Sequence, residues 1–596
     1  MPVPSSPPAA LGCLVAASLA AHAAAAPAGQ GAVSLSAGVL RAPDTLVQRA
    51  TNHVTSNRPG VFNGQSVNTL LGADRFYDAG YDGGGTIAAN VEAGHVWNGH
   101  ESLGHVSSFV NGPSAFGSTT ADLFDRHATW VGQHIGGRAT PGGGAFQTGI
   151  APGTDLRSGA LATNWNGSAY ALGFGFDSGS FRVPYSAFFG TADVINSSWG
   201  FEDPAATGFF AVALDGYANQ NPGTTFVTSA GNSNLDPVLG SPETVGAPAA
   251  GYNNLAVAAL GNANAYDVVT GFSSRGPQRY SDPVNGSVPG VRAPVDIAAP
   301  GQSLVGAFYG GTSGGNNPTL TGSSGPAPAN APTGQYSGSI AGTSFAAPIV
   351  AGGVALLHDA QQGDARLSVN PDADDARVIK AVLLNSADKV RGTNGAAWDN
   401  GQELIDGVIS TDQSLDFAVG AGRMNLDRAF DQYVTAGTAD VPGLVGGVVT
   451  ETGWDFGVVA EGASNFYDIL TPLAAGSEFT VTLDWFRERT FDPTTNTTAD
   501  LAQADLDLFV RNLTTGELIA ESVSTFNEVE HLSFQLATAG LYQIEVNYFE
   551  DLFDVNGTHV LEEYGLAWFG TAVPEPGTLF VLLGGGAAVL LRRRAA

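Results

Sequence analysis

The sequence predicts an α/β domain built on a parallel sheet flanked by helices, followed by an antiparallel β-sandwich. From Gly80 to about Ala429, short apolar runs alternate with Gly-rich turns and helical stretches, which is typical of a parallel sheet buried on both faces. From Gly443 onward, apolar and polar residues alternate between turn residues, a pattern that indicates half-buried antiparallel strands. A charged fraction of 13% and a hydrophobic fraction of 43% exclude a mostly disordered chain.

The apolar runs define the individual elements of the two domains. We place the α/β domain at residues 71–435 and the β-sandwich at residues 443–570. The predicted strands of the first are Thr86–Val91, Asp193–Ile195, Thr225–Thr228 and Leu255–Leu260, with helices over Thr343–His358 and Asp375–Ser386. The predicted strands of the second include Glu478–Leu483, Leu506–Val510, His531–Leu536 and Tyr542–Val546.

The charge balance and the cysteine content narrow the functional classes. The chain of 596 residues has 55 acidic and 24 basic side chains, a formal net charge of −31. Such a surface repels phosphate backbones, so we expect no nucleic-acid partner. The one cysteine, Cys13, excludes internal disulfides and Cys-rich metal sites.

The N-terminus has the pattern of an export signal. Residues 1–26 contain an apolar run that ends in small residues, and Ala21-His22-Ala23 fits the cleavage rule of signal peptides. An Ala-rich tail without a signal function is the alternative. Residues 27–70 are predicted to be a short pro-segment or a linker.

The C-terminus, residues 573–596, combines three features. Val573-Pro574-Glu575-Pro576-Gly577 precedes an apolar stretch from Thr578 to Leu591, which is short for a membrane span, and three arginines follow. This resembles the Pro-Glu-Pro (PEP-CTERM) sorting signal of Gram-negative bacteria. The resemblance implies export, C-terminal membrane contact, processing by an exosortase-type enzyme, and delivery to the cell envelope, outer surface or exterior. A plain C-terminal anchor is the alternative.

A serine in the string Gly342-Thr343-Ser344-Phe345-Ala346-Ala347-Pro348 is placed as a nucleophile. It lies in the first turn of an apolar helix, where unpaired backbone N–H groups and the helix dipole favour negative charge. A lone serine at this position is usually only a helix cap. The whole string, however, resembles the serine block of the subtilisin-like (subtilase) serine proteases.

The resemblance implies a histidine base and an oxyanion donor upstream of Ser344. His127, in His127-Ala128-Thr129-Trp130-Val131-Gly132, is similar to the histidine block of that family. Asn232, in Ser229-Ala230-Gly231-Asn232, is similar to the block whose Asn side chain stabilises the oxyanion. The Ser344 backbone N–H would be the second donor.

The acid of the triad departs from the family pattern, which has Asp after a buried strand. Here the strand Thr86–Val91 leads into Glu92. A glutamate is one methylene longer and still accepts a hydrogen bond from a histidine Nδ1, so we predict a Ser344/His127/Glu92 triad. Asp122 and Asp125 are nearer in sequence to His127, but a helix would point them away from the ring.

Substrate binding is predicted at the segment Val194–Gly200, which resembles the family's edge strand that pairs with the substrate backbone. The predicted substrate-binding residues are Ser197, Ser198, Trp199 and Gly200.

The sandwich resembles the prepeptidase-type C-terminal β-domains that follow secreted bacterial proteases. The strings Ala504–Val510 and Gly540–Val546 carry this resemblance. Asp505 and Asp507 are weak candidates for structural Ca²⁺, with solvated surface charge as the alternative. We expect no required cofactor. The spacing of His100 and His105 does not fit a zinc-binding helix.

Together these features predict an exported or envelope-attached serine endopeptidase. It would hydrolyse peptide bonds of protein or peptide substrates through an acyl-enzyme, with a neutral to alkaline optimum. The alternative is a weakly active or inactive surface or matrix binding protein on the same fold, because Glu92 departs from the pattern.

Overall fold

A computed structural model describes residues 66–112, 124–140, 148–161, 164–165, 170–171, 178–234, 243–261, 266–309, 336–436 and 445–573. The predicted signal peptide lies outside these ranges, as do most of the predicted pro-segment or linker and all of the sorting signal after Val573.

The strands of the first 435 residues are short and mostly buried. They are β1 (Ile87–Glu92), β2 (Phe109–Asn111), β3 (Asp155–Ala160), β4 (Asn164–Trp165), β5 (Tyr170–Ala171), β6 (Val194–Ser197), β7 (Thr225–Ser229), β8 (Leu255–Gly261), β9 (Val268–Val269), β10 (Gln278–Asp282), β11 (Gly286–Arg292), β12 (Ile297–Pro300), β13 (Leu304–Ala307), β14 (Tyr336–Ile340), β15 (Glu403–Ile405) and β16 (Val408–Thr411).

A parallel sheet forms the centre of this region, with the strand order β12-β8-β7-β6-β1-β3-β2. The short β9 is added antiparallel to β8. The four predicted strands are confirmed as β1, β6, β7 and β8, which are neighbours in the sheet. Every residue of β7 and β8 is buried, as expected for strands covered on both faces.

Helices cover the sheet and supply part of the site. They are α1 (Val67–Leu70), α2 (Asp74–Ala79), α3 (Arg126–Gly136), α4 (Ser178–Phe188), α5 (Phe209–Gln220), α6 (Thr343–Gly363), α7 (Ala376–Asn385) and α8 (Leu426–Phe430), with short 3₁₀ turns at Leu367–Val369 and Thr393–Gly395 and a π turn at Asp431–Thr435. The two predicted helices are confirmed as α6 and α7.

Helix α6 runs through the protein core. It is long and apolar enough to cross a membrane, but its most apolar window is 100% buried inside the protein. Gly352 allows a close approach, because a methyl group added there would lie 2.5 Å from Ile150 Cβ. Helix α6 is therefore a core helix, and its packing in the core holds its first turn in place.

The C-terminal strands form two facing sheets. They are β17 (Gly447–Val449), β18 (Thr452–Ala460), β19 (Ser464–Leu473), β20 (Glu478–Trp485), β21 (Glu488–Asp492), β22 (Thr497–Asn512), β23 (Leu518–Ser522), β24 (Val529–Gln535), β25 (Gly540–Asp554) and β26 (Leu561–Phe569). One sheet has the order β18-β26-β20-β24, and the other has the order β15-β16-β23-β22-β25-β19-β17, with β21 added to β22. Both sheets contribute to one apolar core.

Two features of this sandwich differ from the prediction. The hairpin β15–β16 lies within residues 71–435, yet β16 pairs in parallel with β23, so this piece of the predicted α/β domain extends the sandwich. A second parallel pair joins β17 to β19. Two residues of the sandwich strands also belong to the α/β core, namely Trp454 of β18 and Ala567 of β26.

Candidate active site

Three neighbouring strands of the parallel sheet end at one edge. β1 ends at Glu92, β6 at Ser197 and β7 at Ser229, and all three run in the same direction. Their carboxyl ends therefore lie side by side, which is where open α/β sheets bind ligands. The residues that follow these strands form one side of the candidate site.

Helices α3 and α6 pack against each other and supply the other side. His127 and Ser344 are each the second residue of their helix. Asp125 caps α3, because its Oδ2 accepts a hydrogen bond of 2.9 Å from the Ala128 N–H. This carboxylate therefore caps the helix, a role that the sequence did not indicate, while Asp122 lies outside the described residues.

Glu92 is buried and uses both of its carboxylate oxygens. The His127 Nδ1–H donates to Oε2 at 3.0 Å, and the backbone N–H of Ser198 donates to Oε1 at 2.9 Å. Because a carboxylate only accepts, Nδ1 carries the proton and the lone pair is left on Nε2. The side chain of Glu92 thus reaches His127 with one oxygen. Its other oxygen is held by the backbone of Ser198, which directly follows the neighbouring strand β6.

The environment of His127 favours its protonated form. Burial disfavours the imidazolium, but the negative charge of Glu92 and its hydrogen bond outweigh that effect, so the pKa of His127 lies above its ordinary value. Within the described residues, the buried Nε2 makes no hydrogen bond. The ring centroid lies 5.7 Å from that of Phe345, the residue after Ser344.

Ser344 is buried and its hydroxyl is weakly held. Its Oγ–H donates to the carbonyl of Ser198 at 3.4 Å, and the Ser198 hydroxyl donates to the Ser344 carbonyl at 3.1 Å. No hydrogen bond joins Ser344 Oγ to His127 Nε2 in the part of the chain that the structure describes. The hydrogen bond between a nucleophile and its base is often long or absent without substrate. Because the bond from Ser344 Oγ to the Ser198 carbonyl is long, the hydroxyl can readily leave it for His127.

Asn232 is fixed to the residue that precedes Ser344. Its Oδ1 accepts from the Thr343 N–H at 2.9 Å and from the Thr343 hydroxyl at 3.0 Å. The Nδ2 amino group therefore faces away from Thr343, and a methyl group added at Gly342 would lie 3.6 Å from it. Gly231 supports this turn with a φ of +104°, which favours glycine.

The prediction for the segment Val194–Gly200 requires a correction. The segment was predicted as an edge strand, but β6 lies in the interior of the sheet, between β7 and β1. The side chains of Ser197, Ser198 and Trp199 are buried, while Gly200 is exposed. The edge-strand prediction was wrong because a motif does not show which strands flank it. Substrate contact by these residues stays a prediction.

Two residues have roles that the sequence did not indicate. Ser198 links the site, since its N–H holds Glu92 and its carbonyl and hydroxyl contact Ser344. Phe345 lies against the rings of His127, Trp130 and His134, with centroids 5.7, 5.8 and 5.8 Å away. The spacing of His127, Trp130 and His134 along one helix face was the available signal for this cluster.

The candidate calcium ligands Asp505 and Asp507 lie in strand β22 of the sandwich. Burial, together with the negative charges of Asp507 and Glu550, raises the pKa of Asp505 to about 7. Burial also raises the pKa of Asp507 to about 7, with a contribution from Glu521. Among the described residues, no group of three or more His, Cys, Asp or Glu side chains is arranged to hold a metal ion. Since Ca²⁺ takes six to eight oxygen ligands, the calcium site stays a prediction without a supporting cluster.

A family model of the subtilase family matches residues 100–422, which is more than half of the chain. The protein belongs to the subtilase family. The matched range contains His127, Asn232 and Ser344 but begins after Glu92. A crystal structure of a serine protease of Aeromonas sobria is similar at 16% identity, with a TM-score of 0.42, over 82% of this chain and 88% of that one.

Proposed function

We propose that this subtilase is a serine endopeptidase with Ser344 as nucleophile, His127 as general base and Glu92 as the acid that orients His127. The observation that carries the proposal is the pair of bonds on Glu92, one from His127 Nδ1 at 3.0 Å and one from Ser198 N–H at 2.9 Å. A carboxylate in this position selects the histidine tautomer that a general base needs.

The proposed reaction proceeds through an acyl-enzyme. Ser344 Oγ attacks the scissile carbonyl while its proton moves to His127 Nε2, and the oxyanion accepts hydrogen bonds from Asn232 Nδ2 and the Ser344 N–H. The C–N bond then breaks, and His127 gives the proton to the leaving amine. Water, activated by the same nitrogen, hydrolyses the ester and regenerates Ser344.

Ser197, Ser198, Trp199 and Gly200 are proposed to contact the substrate mainly through the backbone. The burial of the first three side chains supports this, and the exposure of Gly200 leaves room for a peptide beside it.

A serine-directed fluorophosphonate tests the proposal. We expect the wild-type protein to be labelled at Ser344, and Ser344→Ala to be unlabelled but folded. Ser108→Ala, at a serine outside the site, is the control and keeps full labelling. A folded wild-type protein that is never labelled would instead support the alternative, a surface or matrix binding protein on an inactivated protease fold.

Export and sorting are a separate part of the proposal. The apolar run and the Ala21-His22-Ala23 site support a cleaved signal peptide, and residues 573–596 support membrane contact followed by exosortase-type processing. Expression in a Gram-negative host that has an exosortase should yield a mature protein shortened at both ends. Removal of residues 574–596 should leave signal cleavage intact but abolish retention at the envelope; unchanged retention would argue against the sorting signal.

A further inference from the structure

We infer that Arg487 and Arg489 of the β-sandwich position the substrate-facing segment of the candidate site. The sandwich would then contribute to peptide binding by the α/β domain. This inference rests on the proposed function, because it concerns how that site holds a peptide.

The two arginines lie in the interface between the sandwich and helix α5. Strand β21 packs along α5, and a methyl group added at Gly216 of α5 would lie 2.5 Å from Phe491 N. Asn219 of the helix donates to the carbonyls of Arg487 and Arg489 at 2.7 and 2.9 Å. The contact is therefore close and specific, with backbone bonded across it.

Both guanidinium groups are completely buried there and are paired with acids. Arg489 donates to Asp215 of α5 at 3.0 Å and to Asp500 of β22 at 2.8 Å. Arg487 donates to Asp500 at 2.7 Å and to the Ser281 carbonyl at 2.6 Å. Removing one partner of a buried pair leaves the other charge without compensation, so these contacts resist separation.

Asp215, which binds Arg489, also binds the backbone of a turn at residues 247–253. Its two oxygens accept the N–H groups of Tyr252 and Asn253, at 2.9 and 3.0 Å. The side chain of Asn253 bonds the backbone of Arg487 in both directions, donating at 2.8 Å and accepting at 2.8 Å. One end of the turn is therefore held by the sandwich.

The other end of the turn holds the chain beside Gly200. The Phe201 N–H donates to the Ala247 carbonyl at 2.8 Å, and a methyl group added at Gly200 would lie 2.9 Å from that carbonyl. The Ala250 N–H of the turn donates to the carbonyl of Gly246, the residue before the turn, at 2.8 Å. A shift of the turn would thus displace Gly200 and Phe201, while Glu92 and His127 keep their own contacts.

Arg489→Met tests the inference because it removes the charge and keeps the stem of the side chain. We expect KM for peptide substrates to rise about tenfold, with kcat and the rate of fluorophosphonate labelling within about threefold of wild type. Arg489→Lys keeps the charge and should restore most of the KM. Arg511→Met is the control for removing a paired arginine elsewhere in the sandwich, since the partly exposed Arg511 pairs with Glu545 at 2.8 Å, and it should leave KM unchanged.

A role in folding alone would give a different result. Then Arg489→Met would lower kcat and the labelled fraction in parallel with KM unchanged, and this outcome would overturn the inference. If Arg489→Met does not fold, Asp215→Asn, which weakens the same ion pair, is the decisive variant, and an unchanged KM in it would count against the inference. Combining Arg489→Met with Asp215→Asn should raise KM no further than the larger single effect, because the two residues act through one contact.

Hydrogen exchange provides a measurement that does not depend on activity. In Arg489→Met the amides of Phe201, Ala250, Tyr252 and Asn253 should exchange faster than in wild type and in Arg511→Met. Unchanged exchange would contradict the inference. An inactive wild-type protein in which the variant still exchanges faster would overturn the proposed function and leave the positioning contact standing.

Discussion

Glu92 and Ser344 both contact Ser198, but the carboxylate and the hydroxyl are held very differently. Glu92 receives two hydrogen bonds, of 2.9 and 3.0 Å, from two separate elements. The Ser344 hydroxyl makes one contact of 3.4 Å. The comparison indicates that the acid and base are organised before substrate arrives, while the hydroxyl is free to turn from Ser198 to His127.

Removing the hydroxyl should have the largest effect. Ser344→Ala is expected to lower kcat by about 10⁶-fold, the loss found when subtilisin is deprived of its nucleophile. Its thermal midpoint should stay close to that of wild type, because the lost contact is long. Peptide hydrolysis and thermal unfolding of the purified variant check both parts; activity at the wild-type level would show that another group is the nucleophile.

Changing the acid should have the next largest effect. Glu92→Gln keeps the shape but turns one oxygen into a donor, so it cannot accept from both His127 and Ser198. We expect kcat to fall by up to about 10⁴-fold, as in a chymotrypsin-type triad that loses its carboxylate. Steady-state kinetics on a peptide substrate measures this, with Glu517→Gln on the exposed sandwich surface as the control. A variant with wild-type kcat would exclude Glu92 as the acid.

Asn232→Ala should have a smaller effect, because it removes one of two proposed oxyanion donors. The expected loss is about 10²–10³-fold in kcat with little change in KM; this magnitude is the one known for subtilisin. Asn234→Ala, two residues further on, is the matched control. A rise in KM with unchanged kcat would mean that Asn232 binds substrate and does not stabilise the transition state.

The pH dependence should show the smallest effect. It is also the sharpest test of whether Glu92 and His127 are organised before substrate binds. His127 acts as a base only when neutral, and its raised pKa keeps it protonated to higher pH than a free histidine. The value of kcat/KM should therefore increase with pH through an apparent pKa above 6.5. In Glu92→Gln the residual activity should rise at lower pH, because the anion that stabilises the imidazolium is gone. The same midpoint in both proteins would show that Glu92 does not act on His127.

The sequence predicted what depends on local pattern. Strand β8 is an uninterrupted run of apolar residues and glycine, and α6 begins where the Gly342–Ser344 turn places it, so their positions follow from neighbouring residues. The expectation that Glu92 meets His127 followed from the resemblance to the subtilases, which place their acid after a buried strand, and the two residues do lie in contact.

What could not be predicted depends on contacts between distant parts of the chain. The interior position of β6 depends on β1 and β7 lying on either side of it. The hairpin β15–β16 joins the sandwich through β23, more than a hundred residues later. The interface roles of Arg487 and Arg489 depend on Asp215, and nothing in the short sequence around any of these residues shows which partner it will meet.

The most direct test of the account is a crystal structure of the protein after reaction with a peptidyl fluorophosphonate. We predict a phosphorus–oxygen bond to Ser344 Oγ, a phosphoryl oxygen within hydrogen-bond distance of Asn232 Nδ2 and the Ser344 N–H, and His127 Nδ1 still bonded to Glu92. An adduct on another residue, or a phosphoryl oxygen turned away from Asn232, would contradict it.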